Sequence, residues 1–296
     1  MPTARVGTLE LNYDLRGEGT PLLLVMGVGA QKIVWREAMC DMLAERGFRV
    51  ARFDNRDVGE SSRLDHLGVP SIRSQILRWM TGQPVDAPYA LDDLADDALG
   101  LMDVLGWERA HVVGASMGGW ISQLLALDHR DRVASLALVM TNMGRLEDFR
   151  THPPSPAVLA SAAEAATLDW GDEEAVHRHR VNNFRVLAGS AYPFDDTKWA
   201  ALIRAEMERA SNYPSLNNHI QAVGASTPWH RRVGEIDVPT IVAHGTDDPT
   251  IRFATGRALA DAIPGAEFHA WEGVGHEVPD DLLDEVLPIL VRHTAR

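Results

Sequence analysis

The chain has 296 residues, 45% of them hydrophobic, too many for one minimal domain and few for two independent ones, so one large core carrying an inserted subdomain is expected. With 42 acidic against 28 basic residues the formal net charge is -14, which disfavours nucleic acid or an anionic membrane as partner, because both need a basic face. The single cysteine, Cys40, excludes an internal disulfide and a thiolate metal cluster, and the start has no apolar signal core, so a soluble cytoplasmic protein is expected.

Residues 6–15 alternate and read as a strand, followed by a turn at 17–21. Residues 21–26 are an unbroken apolar run, the mark of a strand buried on both faces, and it ends at Gly27-Val28-Gly29-Ala30. Residues 35–46 have helical spacing, and 47–53 form the next strand, which runs into Asp54-Asn55-Arg56-Asp57-Val58-Gly59-Glu60-Ser61. Residues 69–88 read as a surface excursion with a helix-like piece at 72–80. Leu91, Leu94, Ala98, Met102 and Leu105 share a helical stripe, with Asp92, Asp93, Asp96 and Asp97 opposite; near a helix start these carboxylates read as a solvated face, not a metal site. A short strand at 110–113 and a helix from Trp120 follow, then a strand over 133–140.

The rhythm then changes. From about 144 to 227 the pattern is helical, with helices expected over 156–167, 172–187, 196–210 and 215–223. Strand and helix alternate again from 239, through a strand to 244, a helix over 253–263, a strand over 267–271 and a closing helix over 280–293. The expected fold class is α/β: a doubly wound, mostly parallel sheet built from residues 1–143 and 228–296, with a helical cap inserted over 144–227.

Gly114-Ala115-Ser116-Met117-Gly118 lies between the strand at 110–113 and the helix from Trp120. Strand, sharp turn and helix turn a common G-x-S-x-G into a nucleophile elbow that holds Ser116 in a strained conformation, with its hydroxyl clear of the sheet edge. A serine hydroxyl needs a base, and the base needs an acid that fixes its tautomer. Those partners belong on loops after later strands, in the order Ser, Asp, His. The loop after residue 244 offers Asp247 and Asp248, and the loop after 271 offers His276 between Gly275 and Glu277. Asp248 is favoured over Asp247 because the residue before a proline is held extended. Oxyanion donors are expected at the backbone N–H of Met117, at a helix N-terminus, and of Val28, between two glycines. No histidine–carboxylate spacing resembles a metal-ligand set, and no cofactor is expected.

Together with the 54–61 loop, Asp248-Pro249 and Gly275-His276, the elbow resembles the α/β-hydrolase superfamily, over nearly the whole chain. Within it, Leu23-Leu24-Val25-Met26-Gly27, Arg56-Asp57 and the 185–196 stretch are similar to aclacinomycin methylesterase and related actinobacterial esterases. The resemblance implies a serine ester hydrolase with Ser116, Asp248 and His276 as triad, acting without a cofactor on a small-molecule ester. Cofactor-free perhydrolases and carbon–carbon bond hydrolases share the triad and stay open, as does a broad small-ester carboxylesterase. A non-catalytic ligand receptor on this scaffold is the alternative from another class, since fold alone does not give function. The cap's size and its aromatics point to a bulky, largely apolar ester, and the resemblance implies one of natural-product type, such as a polyketide methyl ester or a macrolide lactone. Trp170, Tyr192, Phe194, Trp199, Tyr213 and Trp229 are the rings in or beside the cap expected to supply walls for it, with packing of the cap helices as their bland alternative.

Overall fold

A computed structural model of the chain describes residues 2–68, 72–210, 216–278 and 283–294. The N-terminal alternation is a hairpin and not the single strand expected over 6–15: β1 (Thr3–Val6) and β2 (Leu9–Arg16) pair antiparallel, Val6 opposite Leu9. A two-residue turn at Gly7 and Thr8 reverses the chain inside the alternation, and period 2 on both sides of it conceals the break.

The apolar run becomes β3 (Thr20–Val25), followed by α1 (Glu37–Glu45) and β4 (Phe48–Phe53). Then come α2 (Ile72–Met80), α3 (Leu91–Val104), β5 (Ala110–Ala115), α4 (Met117–Asp128) and β6 (Val133–Val139). After the inserted helices the core resumes with β7 (Thr240–Gly245), α10 (Phe253–Ala262) and β8 (Glu267–Trp271), and ends with α11 (Leu283–Thr294). The eight strands lie in the order β1-β2-β4-β3-β5-β6-β7-β8. β2 meets β4 antiparallel, and every pairing from β4 to β8 is parallel.

The continuous apolar runs follow from burial on both faces. Leu23 and Val25 of β3 join the cluster that holds α3, α4 and α10, while Leu22 and Leu24 join the cluster that holds Met39, Cys40 and Leu43 of α1 and Leu290 of α11. The same alternation recurs in β6, where Leu136 and Leu138 face one cluster and Ala137 and Val139 the other.

The four aspartates of α3 do not form one solvated face. Asp96 is exposed, but Asp97 is buried and paired with Arg56, Nε to Oδ2 at 2.6 Å and a second nitrogen to Oδ1 at 2.8 Å. Asp93 accepts from the Ala90 N–H and caps the helix. The partner of Asp97 is 41 residues away, which helical periodicity cannot reveal.

Between β6 and β7 the described residues are helical: α5 (Leu146–Thr151), α6 (Pro156–Ala165), α7 (Glu173–Leu187), α8 (Asp196–Arg209) and α9 (Leu216–Ala225). Ser155, Asp172 and Asp195 each accept a backbone N–H three residues on, which fixes the starts of α6, α7 and α8. No described helix is long and apolar enough to cross a membrane.

One half-buried histidine ties stability to pH. His111 of β5 bonds Ser135 Oγ through Nδ1 at 2.8 Å, and burial, with His293 and Arg109 nearby, pushes its imidazole from 6.5 down to about 4. The folded value lies below the unfolded one, so the unfolded chain binds more protons between them. The stabilisation is complete above pH 6.5 and is lost as pH falls toward 4. The drop in urea midpoint between pH 7.5 and pH 5 should therefore be smaller in His111→Gln than in the parent; equal drops would contradict this account.

Candidate active site

β5 runs straight into Ser116, which sits at φ +56° and ψ -122° before α4 begins at Met117. A non-glycine residue at positive φ costs on the order of 1–3 kcal/mol, so the surroundings must impose it. They do so through the backbone. Ser116 N–H donates to Val139 C=O at 3.0 Å, and Thr141 Oγ1 donates to Ser116 C=O at 2.8 Å. α4 also packs tightly on β3: a Cβ at Gly118 would stand 2.1 Å from the Val25 carbonyl oxygen, so only glycine fits there.

Ser116 Oγ lies 3.1 Å from His276 Nε2, and His276 Nδ1 lies 2.7 Å from Asp248 Oδ2. The carboxylate accepts a hydrogen bond from Nδ1–H, which leaves Nε2 as acceptor toward the serine hydroxyl. Asp248 is almost fully buried, and its other oxygen accepts from Thr250 N–H at 2.8 Å and Ile251 N–H at 2.9 Å. Burial alone raises a carboxyl's pKa, yet His276 and the hydrogen bond from His244 hold Asp248 well below the usual carboxylate range. His244, which has no assigned role in the sequence, is wholly buried behind the acid, with Nε2 3.1 Å from Asp248 Oδ2 and 2.7 Å from Ile251 C=O. The neighbouring Asp247 is exposed and turned away. Its Oδ2 accepts from the Ser190 N–H and hydroxyl, tying the loop to the inserted segment. The His276 loop is tied there too, since His276 N–H donates to Leu187 C=O at 2.8 Å.

The turn after β3 begins beside the serine, where a Cβ on Gly27 would come within 2.9 Å of Ser116 Cβ. Among the described residues neither Val28 N–H nor Met117 N–H has a protein acceptor. For Met117 that follows from its place as first residue of α4. The loop after β4 braces this turn: Asn55 Nδ2 donates to Met26 C=O at 3.0 Å, and Asp54 Oδ1 accepts from Lys32 N–H at 2.7 Å. Lys32 itself is fully buried, with Nζ 3.1 Å from Asp14 Oδ1. Asp57, at φ +66°, accepts from Leu64 N–H, the Tyr89 hydroxyl and Asn218 Nδ2. The motif that carried the family resemblance thus supports the turn from below. Among the described residues no group of three or more His, Cys, Asp and Glu side chains is placed to hold a metal.

The six aromatic rings divide. Trp229 is buried against Trp120 and donates from Nε1 to Gln123 Oε1 at 3.2 Å, so it packs the elbow helix. Trp199 is buried and stacks on Phe184 at 4.1 Å and on Phe194 at 6.1 Å, with Arg185 over Phe194; these rings pack α7 against α8. Trp170 is exposed, edge-on to His179. Tyr192 is half-buried on the apolar cluster that includes Met26 and Val274. Tyr213 lies outside the described residues.

Comparison with known proteins agrees with this architecture. The chain is 29% identical to rhodomycin D methylesterase DauP of Streptomyces sp. (strain C5), over 99% of this chain and 98% of that protein. It is 26% identical to the 2-hydroxy-6-oxononadienedioate/2-hydroxy-6-oxononatrienedioate hydrolase of Paraburkholderia xenovorans (strain LB400), over 91% and 85%. Among solved structures, the enol-lactonase from Burkholderia xenovorans LB400 superposes with a TM-score of 0.75 at 26% identity, over the full length of both chains. The family model described as alpha/beta hydrolase fold matches residues 20–281. With its mostly parallel sheet and its serine at the turn between β5 and α4, the chain belongs to the α/β-hydrolase family.

Proposed function

We propose that the protein is a carboxylic-ester hydrolase working through an acyl-enzyme, with Ser116 as nucleophile, His276 as general base and acid, and Asp248 as the acid that orients His276. The observation that carries the reading is the continuous contact from Ser116 Oγ through His276 to Asp248, at 3.1 and 2.7 Å. Ser116 Oγ attacks the acyl carbon and passes its proton to His276 Nε2. Negative charge then moves to the carbonyl oxygen, where the N–H groups of Val28 and Met117 receive it. His276 returns the proton to the departing alcohol. Water, deprotonated by the same nitrogen, releases the acid.

The substrate we infer is a bulky, largely apolar ester of the polyketide methyl ester or macrolide lactone type. Two things support this: the likeness to a protein named rhodomycin D methylesterase, and the helices α5 to α9 inserted between β6 and β7. Tyr192, next to the His276 loop, is the cap ring best placed for a wall, because Ala191 N–H donates to Gly273 C=O at 2.9 Å. The test compares kcat/KM across p-nitrophenyl acetate, long-chain acyl esters, methyl esters of polycyclic acids and macrolide lactones. Small activated esters should react, but with a lower kcat/KM than the polycyclic methyl esters, because they forgo remote binding energy. A steady rise with acyl length into emulsified triglycerides would reject the substrate class in favour of a lipase. The likeness to the dienedioate hydrolase favours a second reading, hydrolysis of an oxo-dienoate acid. Turnover of such an acid above every ester in the panel would select it.

A further inference from the structure

Three N–H groups of the turn after β3, those of Gly29, Ala30 and Gln31, have acceptors, and two of these acceptors come from the inserted helices. Ala30 N–H donates back to Gly27 C=O. Gly29 N–H donates to Nδ1 of His219, on α9, at 3.2 Å. Gln31 N–H donates to Oε1 of Glu206, on α8, at 3.0 Å. Both side chains are fully buried. Glu206 is held in turn by Arg180 at 2.7 Å, and its own C=O accepts from Gln31 Nε2 at 2.8 Å. His219 Nε2 lies 2.7 Å from Arg56 C=O and must donate to it. With an acceptor at Nε2 and a donor at Nδ1, one neutral tautomer satisfies both partners, and burial lowers the imidazole's pKa, which favours that neutral form.

We propose that His219 is a positioning residue for the oxyanion hole, and that the cap acts as a frame for the turn that carries the donor. This rests on the reading of Val28 as that donor. The Gly29 nitrogen belongs to the rigid peptide plane that begins at the Val28 carbonyl. Holding that N–H restrains ψ of Val28, and the Ala30 N–H bond to Gly27 C=O holds the plane that carries the Val28 N–H, so the two bonds together limit where that donor points. The turn is Gly-Val-Gly, so it has little stiffness of its own. Oxyanion stabilisation needs a donor already aimed when charge develops, so an external clamp has direct catalytic value. His219 reaches the turn from 190 residues away and touches no reacting atom.

The test is His219→Phe, which keeps the ring shape and removes both hydrogen bonds. Its kcat/KM for an activated ester should fall about 10- to 100-fold, with KM changed less than about threefold. Inhibition by a trifluoromethyl ketone, which forms a tetrahedral adduct, should weaken in parallel, while inhibition by the product acid stays as in the parent. His219→Gln, with one acceptor and one donor on its amide, should recover part of the loss. Wild-type kcat/KM and analogue affinity in folded His219→Phe would overturn the proposal; so would equal weakening of analogue and product acid, the sign of general damage. If His219→Phe does not fold, His219→Leu, which offers the Gly29 N–H no acceptor, is judged by the same ratio. Ser116→Ala separates the two readings: if it keeps ester turnover, the serine mechanism itself falls, whereas a fully active His219→Phe beside an inactive Ser116→Ala rejects only the role of His219.

Discussion

Ser116→Ala is expected to lower ester turnover by about 10⁴- to 10⁶-fold, the range seen when a triad nucleophile is removed, with little change in thermal stability. The two halves of that expectation have different origins. Turnover falls because, among the described residues, the hydroxyl that His276 Nε2 contacts is Ser116 Oγ, at 3.1 Å. Stability is kept because the strained backbone at φ +56° is imposed by bonds to the main chain of Ser116, its N–H to Val139 C=O and the Thr141 hydroxyl to its C=O, which alanine leaves intact. A fluorophosphonate should label Ser116 in the parent and nothing in the variant. Full activity in a well-folded Ser116→Ala would sink both the nucleophile and the enzyme reading.

Local pattern made much of the architecture legible. Residues 21–26 are apolar at every position because β3 has a cluster on each face, and that pattern depends on no distant partner. Starts of the inserted helices were legible for the same reason, since Ser155, Asp172 and Asp195 cap the turns that follow them. The six residues of α5 are too few to carry a readable helical period. The hairpin of β1 and β2 was hidden by an alternation that continues across its turn. In the candidate site, Ser116, Asp248 and His276 stand out because each follows a strand and carries its own turn chemistry. What the sequence does not disclose are the long-range polar pairs: Asp97 with Arg56, Glu206 with Gln31, His219 with Gly29. Such groups have no period and no motif, and only folding brings them within 3.5 Å. The aromatic rings misled for a related reason. A ring's sequence position in a cap says nothing of which way it turns, and Trp199, Phe194 and Trp229 turn toward neighbouring helices.

Asp248→Asn is expected to cost about 10⁴-fold in kcat/KM near neutral pH, and Asp247→Asn less than about threefold. The first figure follows from what surrounds the carboxylate. Oδ1 of Asp248 faces two backbone donors, Thr250 N–H and Ile251 N–H, so an asparagine there must present its carbonyl oxygen to them. Its NH₂ group is then directed at His276 Nδ1 and at His244 Nε2. Two donors cannot share that contact, so His276 is driven to the other tautomer, with its proton on Nε2 facing Ser116. In that state the imidazole cannot accept the serine proton, and the base is lost although every atom has nearly the same place. His244 sharpens the effect, since its Nε2 also donates to Ile251 C=O and has little freedom to reverse. Asp247 has no such geometry. Its carboxylate is exposed and accepts from Ser190, and an asparagine keeps an oxygen for that bond. The side chain of Asp248 is held ionised well below the usual carboxylate range, so lowering the pH from 7 to 5 should not inactivate the parent through this residue. Measuring kcat/KM for both variants at pH 7, with melting temperatures alongside, decides the matter: a larger loss in Asp247→Asn than in Asp248→Asn would move the triad acid to Asp247.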